Sequence, residues 1–375
     1  MRMLMLLNQP RDIPLAALID RTSPDAVKFA ITDFSHETEF NLGKRKALEK
    51  CFDSNQIEEA NLVLSDMCVC RDKEEMMELI STCDICLSVG REFFVFKPIE
   101  RVKYVALSME RCYFHRLIQV LPAYKGNLKI FLHSEAWLEE DICGLYEMGP
   151  FNYGYLDLYS NSFEAVDILG HYKSILSQHK KDEIKEEFGV PKDKKVVLFS
   201  FRRADKQLTV HGSESEYYES CKENLKKLKE LGYYVICRRR LSEYDIARRK
   251  DSAEVKKYDE FSDLIDKELS GFGHFPEVIW KAMHISNMLY LSDVSSIADI
   301  EAAICRTPVF LPREGSLVEE KLKFMSPRYK DLFERGLIFD SIEGWSESEY
   351  KKGVEDFIQE WYNTDVNEFW KRVYE

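Results

Sequence analysis

No uninterrupted apolar run in the sequence approaches the roughly eighteen residues that a membrane-spanning helix needs, and the opening MRMLMLL is too short for the core of a secretory leader. Excess positive charge is also missing: 53 Lys and Arg against 66 Asp and Glu leave a formal net charge of −13. Phosphate-backbone affinity comes from clustered Lys and Arg, so this balance excludes nucleic acid as the expected partner. The two local basic runs, at residues 44–46 and at Arg238, Arg239 and Arg240, are short. No G-x-G-x-x-G follows the first apolar run, which excludes a dinucleotide cofactor. The absence of G-x-S-x-G and G-x-x-x-x-G-K-[ST] excludes an esterase elbow and a P-loop. There is no solenoid-period repeat and no low-complexity segment. Ten cysteines are present, spread through apolar segments rather than set out as a disulfide framework, which predicts a reducing, cytoplasmic setting. Cys68 and Cys70 with Cys83 and Cys86 invite a zinc reading, but they lie along apolar strand-like runs and are expected to be buried structural thiols; no metal site is expected.

What is present is a steady alternation. Short apolar runs at 3–7, 28–31, 61–64, 85–89, 104–107, 129–132 and 155–159 have the length of buried parallel strands. Helical patterns at 44–59, 73–81 and 111–121 stand between them. Such alternation predicts a parallel sheet covered by helices on both faces. A segment at 163–188 reads as a long helix or a pair of helices, Gly189 and Pro191 break it, and a new strand is expected at 196–201. The theme then repeats, with helix 216–231, strand 233–237, a solvated helical insertion over 241–273, helix 276–284, and strands at 288–291 and 308–311. A final helix over 347–374 carries Phe357, Trp361, Phe369, Trp370 and Tyr374. At 375 residues two domains are expected: a Rossmann-like domain over 1–170, a linker helix over 171–194, a second Rossmann-like domain over 195–345, and C-terminal helices over 346–375.

Residues 286–312, SNMLYLSDVSSIADIEAAICRTPVFLP, form the most informative stretch. They read as a strand, a polar turn from Ser292 to Ser296, a helix over 297–305 rich in small residues, and a second strand. Ser296 and Asp299 fit the S-x-x-[DE] capping box. A helix N-terminus at the carboxyl end of a parallel strand favours negative charge, through unpaired N–H groups and the helix dipole, and the hydroxyls of Ser295 and Ser296 add donors for phosphate oxygens. The structural alternative is that these serines only cap a core helix.

This run resembles the donor-binding segment of GT-B glycosyltransferases, and most of all that of the CDP-glycerol glycerophosphotransferase branch, where an Asp-x-Ser-Ser turn opens a helix bearing an acidic residue. The resemblance implies an α/β, GT-B-like fold: two Rossmann-like domains facing a central cleft, with a C-terminal helix crossing back to the first. It implies that Asp293, Ser295, Ser296, Asp299 and Glu301 serve a nucleotide diphosphate, the serines at its phosphates and an acidic residue at a ribose or polyol hydroxyl. Arg202 and Arg203, after the strand expected at 196–201, resemble a strand-end segment of the branch and could neutralise donor phosphate, or form a surface pair. Arg238 and Arg240 stand where the branch has Arg-x-His-Pro, and the His-Pro is absent here. His211, before Gly212, is either a ligand-approach loop or a turn; His274 and His284, flanking helix 276–284, are either base or ribose contacts or packing residues. His133, directly after the strand expected at 129–132, is the candidate catalytic base, with Glu135 orienting it or acting itself. His115 reads as helix packing, and Asn161 with Ser162 as a helix cap or an interdomain-edge contact. No Asp-x-Asp occurs, which predicts a metal-independent reaction.

The expected function is therefore a cytoplasmic glycosyltransferase, metal-independent and without cofactor, that moves a sugar from a nucleotide-diphosphate donor to a glycan or lipid-linked acceptor. A lipid-linked acceptor would bring peripheral contact with the inner face of a membrane, although no strong basic amphipathic helix is present. Polyol-phosphate transfer from CDP-glycerol or CDP-ribitol, epimerisation or hydrolysis of a UDP-sugar, and a non-catalytic binding module are the alternatives on the same fold.

Overall fold

The computed structural model describes residues 1–7, 13–32, 67–70, 72–89, 92–109, 121–124, 126–132, 180–200, 214–238, 261–269, 276–292, 298–312, 327–342, 345, 347–361 and 366–375. The chain divides into two compact units, Met1–His171 with Tyr362–Glu375, and Tyr172–Trp361.

In the first unit, β1 (Met3–Leu7) is buried at all five residues, as a strand without a polar face must be. It is followed by α1 (Ile13–Thr22), β2 (Val27–Thr32), β3 (Cys68–Cys70), α2 (Lys73–Thr82), β4 (Ile85–Val89), β5 (Lys103–Met109) and β6 (Leu128–Leu132). The strands form one parallel sheet in the order β3-β2-β1-β4-β5-β6. Helix α2 begins where Asp72 Oδ1 accepts the N–H of Glu75 at 2.8 Å. The core under β5 keeps two tyrosines whose hydroxyls are satisfied: Tyr124 donates to the Phe96 carbonyl at 2.8 Å, and Tyr104 accepts the Ile99 N–H at 2.9 Å. Their rings meet edge to face, with centroids 4.9 Å apart.

The second unit contains α3 (Lys181–Glu187), β7 (Val196–Ser200), α4 (Glu214–Glu230), β8 (Tyr234–Arg238), β9 (Lys267–Leu269), α5 (Pro276–Ile285), β10 (Met288–Leu291), α6 (Ala298–Ile304), β11 (Val309–Phe310), α7 (Pro327–Glu334), β12 (Ile338–Phe339) and α8 (Glu347–Trp361). Its parallel sheet runs β12-β11-β10-β7-β8-β9, which is the order of the first sheet read from the other edge. Phe199, Tyr290, Phe310 and Phe339 occupy matched positions on four adjacent strands, and each ring lies 5.1–5.6 Å from the next. This aromatic ladder sits on one face of the sheet, and three of its rings lie in the buried core beneath α4. Gly189, at φ +65°, ends the turn after α3, where the sequence predicts a break. Helix α6 ends with Arg306 at φ 58°, while Thr307 N–H donates to the Ala302 carbonyl and Arg306 N–H to the Ala303 carbonyl, a Schellman closure made without glycine.

The two sheets share a further detail. Just before β4, Asp84 Oδ2 accepts the Arg2 backbone N–H at 2.8 Å; just before β10, Asn287 Oδ1 accepts that of Val196 at 2.8 Å. The residue preceding the fourth strand thus ties down the first strand in both units.

Three expectations need correction. The insertion expected over 241–273 includes β9, an edge strand whose Lys267 and Glu268 are exposed while Leu269 is buried; charge on an edge strand hides its periodicity. The helix expected over 347–374 is two helices, α8 and α9 (Val366–Tyr374). The second sheet also gains β12, only two residues long and beyond the reach of a periodicity reading. The strands expected at 61–64 and 155–159 and the helices at 44–59 and 111–121 lie outside the described residues.

Helix α9 belongs to the first unit. It buries Phe369, Trp370 and Val373 there. The Trp370 indole N–H donates to Thr22 Oγ1 at 3.2 Å, and the Tyr374 hydroxyl to Asp25 Oδ2 at 2.7 Å. At its end the Lys103 ammonium donates to the Tyr374 carbonyl at 2.7 Å and that of Lys129 to the Arg372 carbonyl, so two cations from β5 and β6 close the negative end of the helix.

Candidate functional site

Open parallel sheets bind ligands outside the carboxyl ends of their strands, at the point where strand order reverses. In the first sheet that point lies between β1 and β4, and in the second between β7 and β10. The second is defined in detail. The last register pair joins Leu291 to Ser200. One residue further, Ser292 Oγ donates to the Ser200 carbonyl at 3.2 Å and stands 2.6 Å from the hydroxyl of Tyr217 on α4. Tyr217 is fully buried and Ser292 nearly so. Beyond Ser200 the sequence continues into Arg202 and Arg203, and beyond Ser292 into Asp293, Ser295 and Ser296.

His133, Glu135, Arg202, Arg203, His211, Arg240, His274, Asp293, Ser295 and Ser296 lie outside the described residues, as do His115, Asn161 and Ser162. Four predicted candidates lie within them, Arg238, Asp299, Glu301 and His284. Arg238 is the last residue of β8, one position past the register pair of Phe199 with Cys237, which puts it at the carboxyl edge beside β7. Asp299 stands in the first turn of α6 and is fully buried, in the field of a helix start that favours a carboxylate. Glu301 follows in the same turn, and its Oε1 accepts the indole N–H of the buried Trp280 at 3.2 Å, so this carboxylate joins α6 to α5.

His284 takes a different position. Helix α5 runs back to the amino end of β10, and His284 is in its last turn, on the edge of the sheet away from the strand reversal. Its place fits the packing alternative and not a base or ribose contact at the carboxyl edge. Tyr217 and Ser292, by contrast, were not among the predicted site residues. Ser292 carried one usable signal, a small polar residue directly after a fully apolar four-residue strand. Tyr217 carried none, since an aromatic residue on an amphipathic helix reads as packing.

The cysteines expected to be structural are buried at Cys70, Cys83 and Cys86, with Cys68 partly so. Burial holds the Cys86 thiol well above its ordinary range, and the Cys83 thiol bonds the Ile80 carbonyl at 3.1 Å. Among the described residues no group of three or more His, Cys, Asp and Glu is arranged to hold a metal ion, and no helix is long and apolar enough to cross a membrane.

The sequence matches no protein-family model and no curated protein. Solved structures do resemble the chain along its length. The wall teichoic acid polymerase TagF superposes with a TM-score of 0.52 at 13% identity, over 99% of this chain and 88% of that one. The UDP-GlcNAc 2-epimerase of Methanocaldococcus jannaschii superposes with a TM-score of 0.53 at 14% identity, over 100% of this chain and 99% of the epimerase. Likeness at such identities carries the fold. The chain therefore has the α/β, GT-B-like fold expected from its sequence, with two parallel Rossmann-type sheets and the last helix returned to the first unit.

Proposed function

We propose that the protein is a GT-B transferase that moves a sugar from a nucleotide-diphosphate donor to a glycan or lipid-linked acceptor in the synthesis of surface polysaccharide or glycoconjugate. The observation that carries this reading is the β7–β10 strand reversal: β7 ends in Ser200, Ser292 directly follows β10, and the residues that come next in the sequence are the arginines and the Asp-x-Ser-Ser turn that the sequence marks for a diphosphate. In this scheme the acceptor hydroxyl attacks the anomeric carbon, its proton passes to His133 or Glu135, and the bond to the diphosphate oxygen breaks with its electrons. The hydroxyls of Ser295 and Ser296, the N–H groups beside them and Arg202, Arg203, Arg238 and Arg240 offset the charge of the departing diphosphate. Asp293, Asp299, Glu301, His211 and His274 are assigned to the nucleoside side of the donor, Asp299 and Glu301 as groups that hold the start of α6 rather than as direct contacts. The scheme uses no resident metal or cofactor. A lipid-linked acceptor would bring the protein to a membrane surface on the cytoplasmic side.

The test is a melting-temperature panel with UDP, CDP, GDP, ADP and CMP, since a ligand selective for the native state raises the melting point. A shift with UDP or GDP, lost in the Ser295→Ala, Ser296→Ala double variant while its far-UV circular dichroism is kept, is the expected result. A shift with CDP alone would move the reading to polyol-phosphate transfer, the donor chemistry of the branch that the sequence resembles. Turnover of a UDP-sugar without acceptor would move it to epimerisation, the chemistry to which the epimerase owes its name, or to hydrolysis. No shift with any nucleotide would leave a binding module of another kind.

A further inference from the structure

The strands β7 and β10 lead into connections on opposite faces of the sheet, because right-handed crossovers that start in opposite directions from a strand reversal must separate. Sheet pairing therefore ends where a ligand would sit, at Leu291 and Ser200. A side-chain relay carries the connection one residue further. Ser292 Oγ donates to the Ser200 carbonyl, which leaves the Tyr217 hydroxyl, 2.6 Å away, to donate to Ser292. The relay is buried, where hydrogen-bonded hydroxyls hold their geometry strongly. Packing alone does not ask for it: the Tyr217 ring meets Tyr218 at 5.1 Å within the apolar core, and a phenylalanine would fill the same space.

We propose that Tyr217 and Ser292 are positioning residues for a nucleoside diphosphate. They fix the separation of the two strand ends from which the arginine-bearing and the Asp-x-Ser-Ser segments start. This rests on the donor-site reading above and adds two residues to it, one of them contributed by α4 and neither of them in contact with the reacting atoms.

The experiment is calorimetric titration of the full chain with the nucleoside diphosphate that shifts its melting point, using wild type, Tyr217→Phe, Ser292→Ala, the double variant, Ser292→Thr and Tyr124→Phe. Loss of the relay is expected to weaken binding about tenfold in Tyr217→Phe and in Ser292→Ala. The double variant is expected to be no weaker than the worse single one, as for two members of one network. Ser292→Thr keeps the hydroxyl and is expected to recover most of the affinity. Tyr124→Phe removes a buried hydroxyl that donates to Phe96 in the first unit, and should lose stability without losing affinity. Should Tyr217→Phe fail to fold, Ser292→Ala and its threonine rescue carry the same test. Undiminished binding in Tyr217→Phe and Ser292→Ala, equal losses in Tyr124→Phe, or no threonine rescue would overturn the positioning role and leave the donor site standing. An absence of binding by the wild type would overturn both.

Discussion

Gly353 lies inside α8, where glycine costs a helix about 1 kcal/mol relative to alanine. A Cβ at that position would stand 2.9 Å from the Arg335 carbonyl oxygen and 3.3 Å from Leu337 Cδ2. The carbonyl is not free to retreat, because the Arg335 guanidinium is bonded to Asp331 on α7 and to Glu360 on α8 itself. Crowding against fixed backbone costs about 1–3 kcal/mol, which exceeds the helix gain. Gly353→Ala should therefore be destabilising by about 1 kcal/mol in urea unfolding, against the trend of the propensity scale; a stabilised variant would show that the turn after α7 moves aside. Nothing in YKKGVED announces this requirement, which is imposed by a turn elsewhere in the chain. The pairing of Tyr217 with Ser292 was illegible for the same reason: a hydrogen bond across 75 residues leaves no local pattern. Asp299 could be proposed from the sequence because a capping box is written within four residues; in the structure it stands in the first turn of α6, while Ser296 lies outside the described residues.

At the level of elements, legibility followed burial. Runs that are apolar throughout, such as Met3–Leu7 and Met288–Leu291, have the bounds the sequence predicts, since a strand covered on both faces does not readily extend into polar residues. The edge strands β9 and β12 escaped because one is mostly charged and the other is very short. The attachment of α9 also makes a pH-dependent contribution. The Tyr374 hydroxyl is pushed up to about 12, first by burial and then by its bond to Asp25, whereas an unfolded tyrosine titrates near 10. A raised folded value means that the contact contributes in full below about pH 10 and is lost as pH climbs toward about 12. Melting curves across that window should show wild type losing its advantage over Tyr374→Phe. A difference that stays constant would remove the Asp25 bond from the account.

On the scale of the whole molecule, two parallel sheets came through in the repeated alternation of short apolar runs and helical patterns, which needs no long-range information, whereas their shared strand order did not. The segment proposed for the donor, residues 286–312, could be singled out because it is contiguous in sequence. His133, the candidate base, rests on less, because a lone histidine after an expected strand has no partner written beside it other than Glu135. A donor held at the β7–β10 edge should act on one unit more than the other. Hydrogen exchange with a bound nucleoside diphosphate is expected to slow in β7, β10 and α6, and to stay unchanged in β1, β4 and β5. Protection confined to the first sheet would relocate the site. The return of α9 to the first unit also sets an order of events during synthesis. The second unit is one continuous stretch and has all its residues once Trp361 has emerged from the ribosome, whereas the first, begun earlier, still awaits the helix that seats Trp370 and caps itself on Lys103 and Lys129. The part translated first is thus the part completed last, and a nascent chain halted just after Trp361 would carry a finished second unit beside a first unit with an uncovered apolar surface.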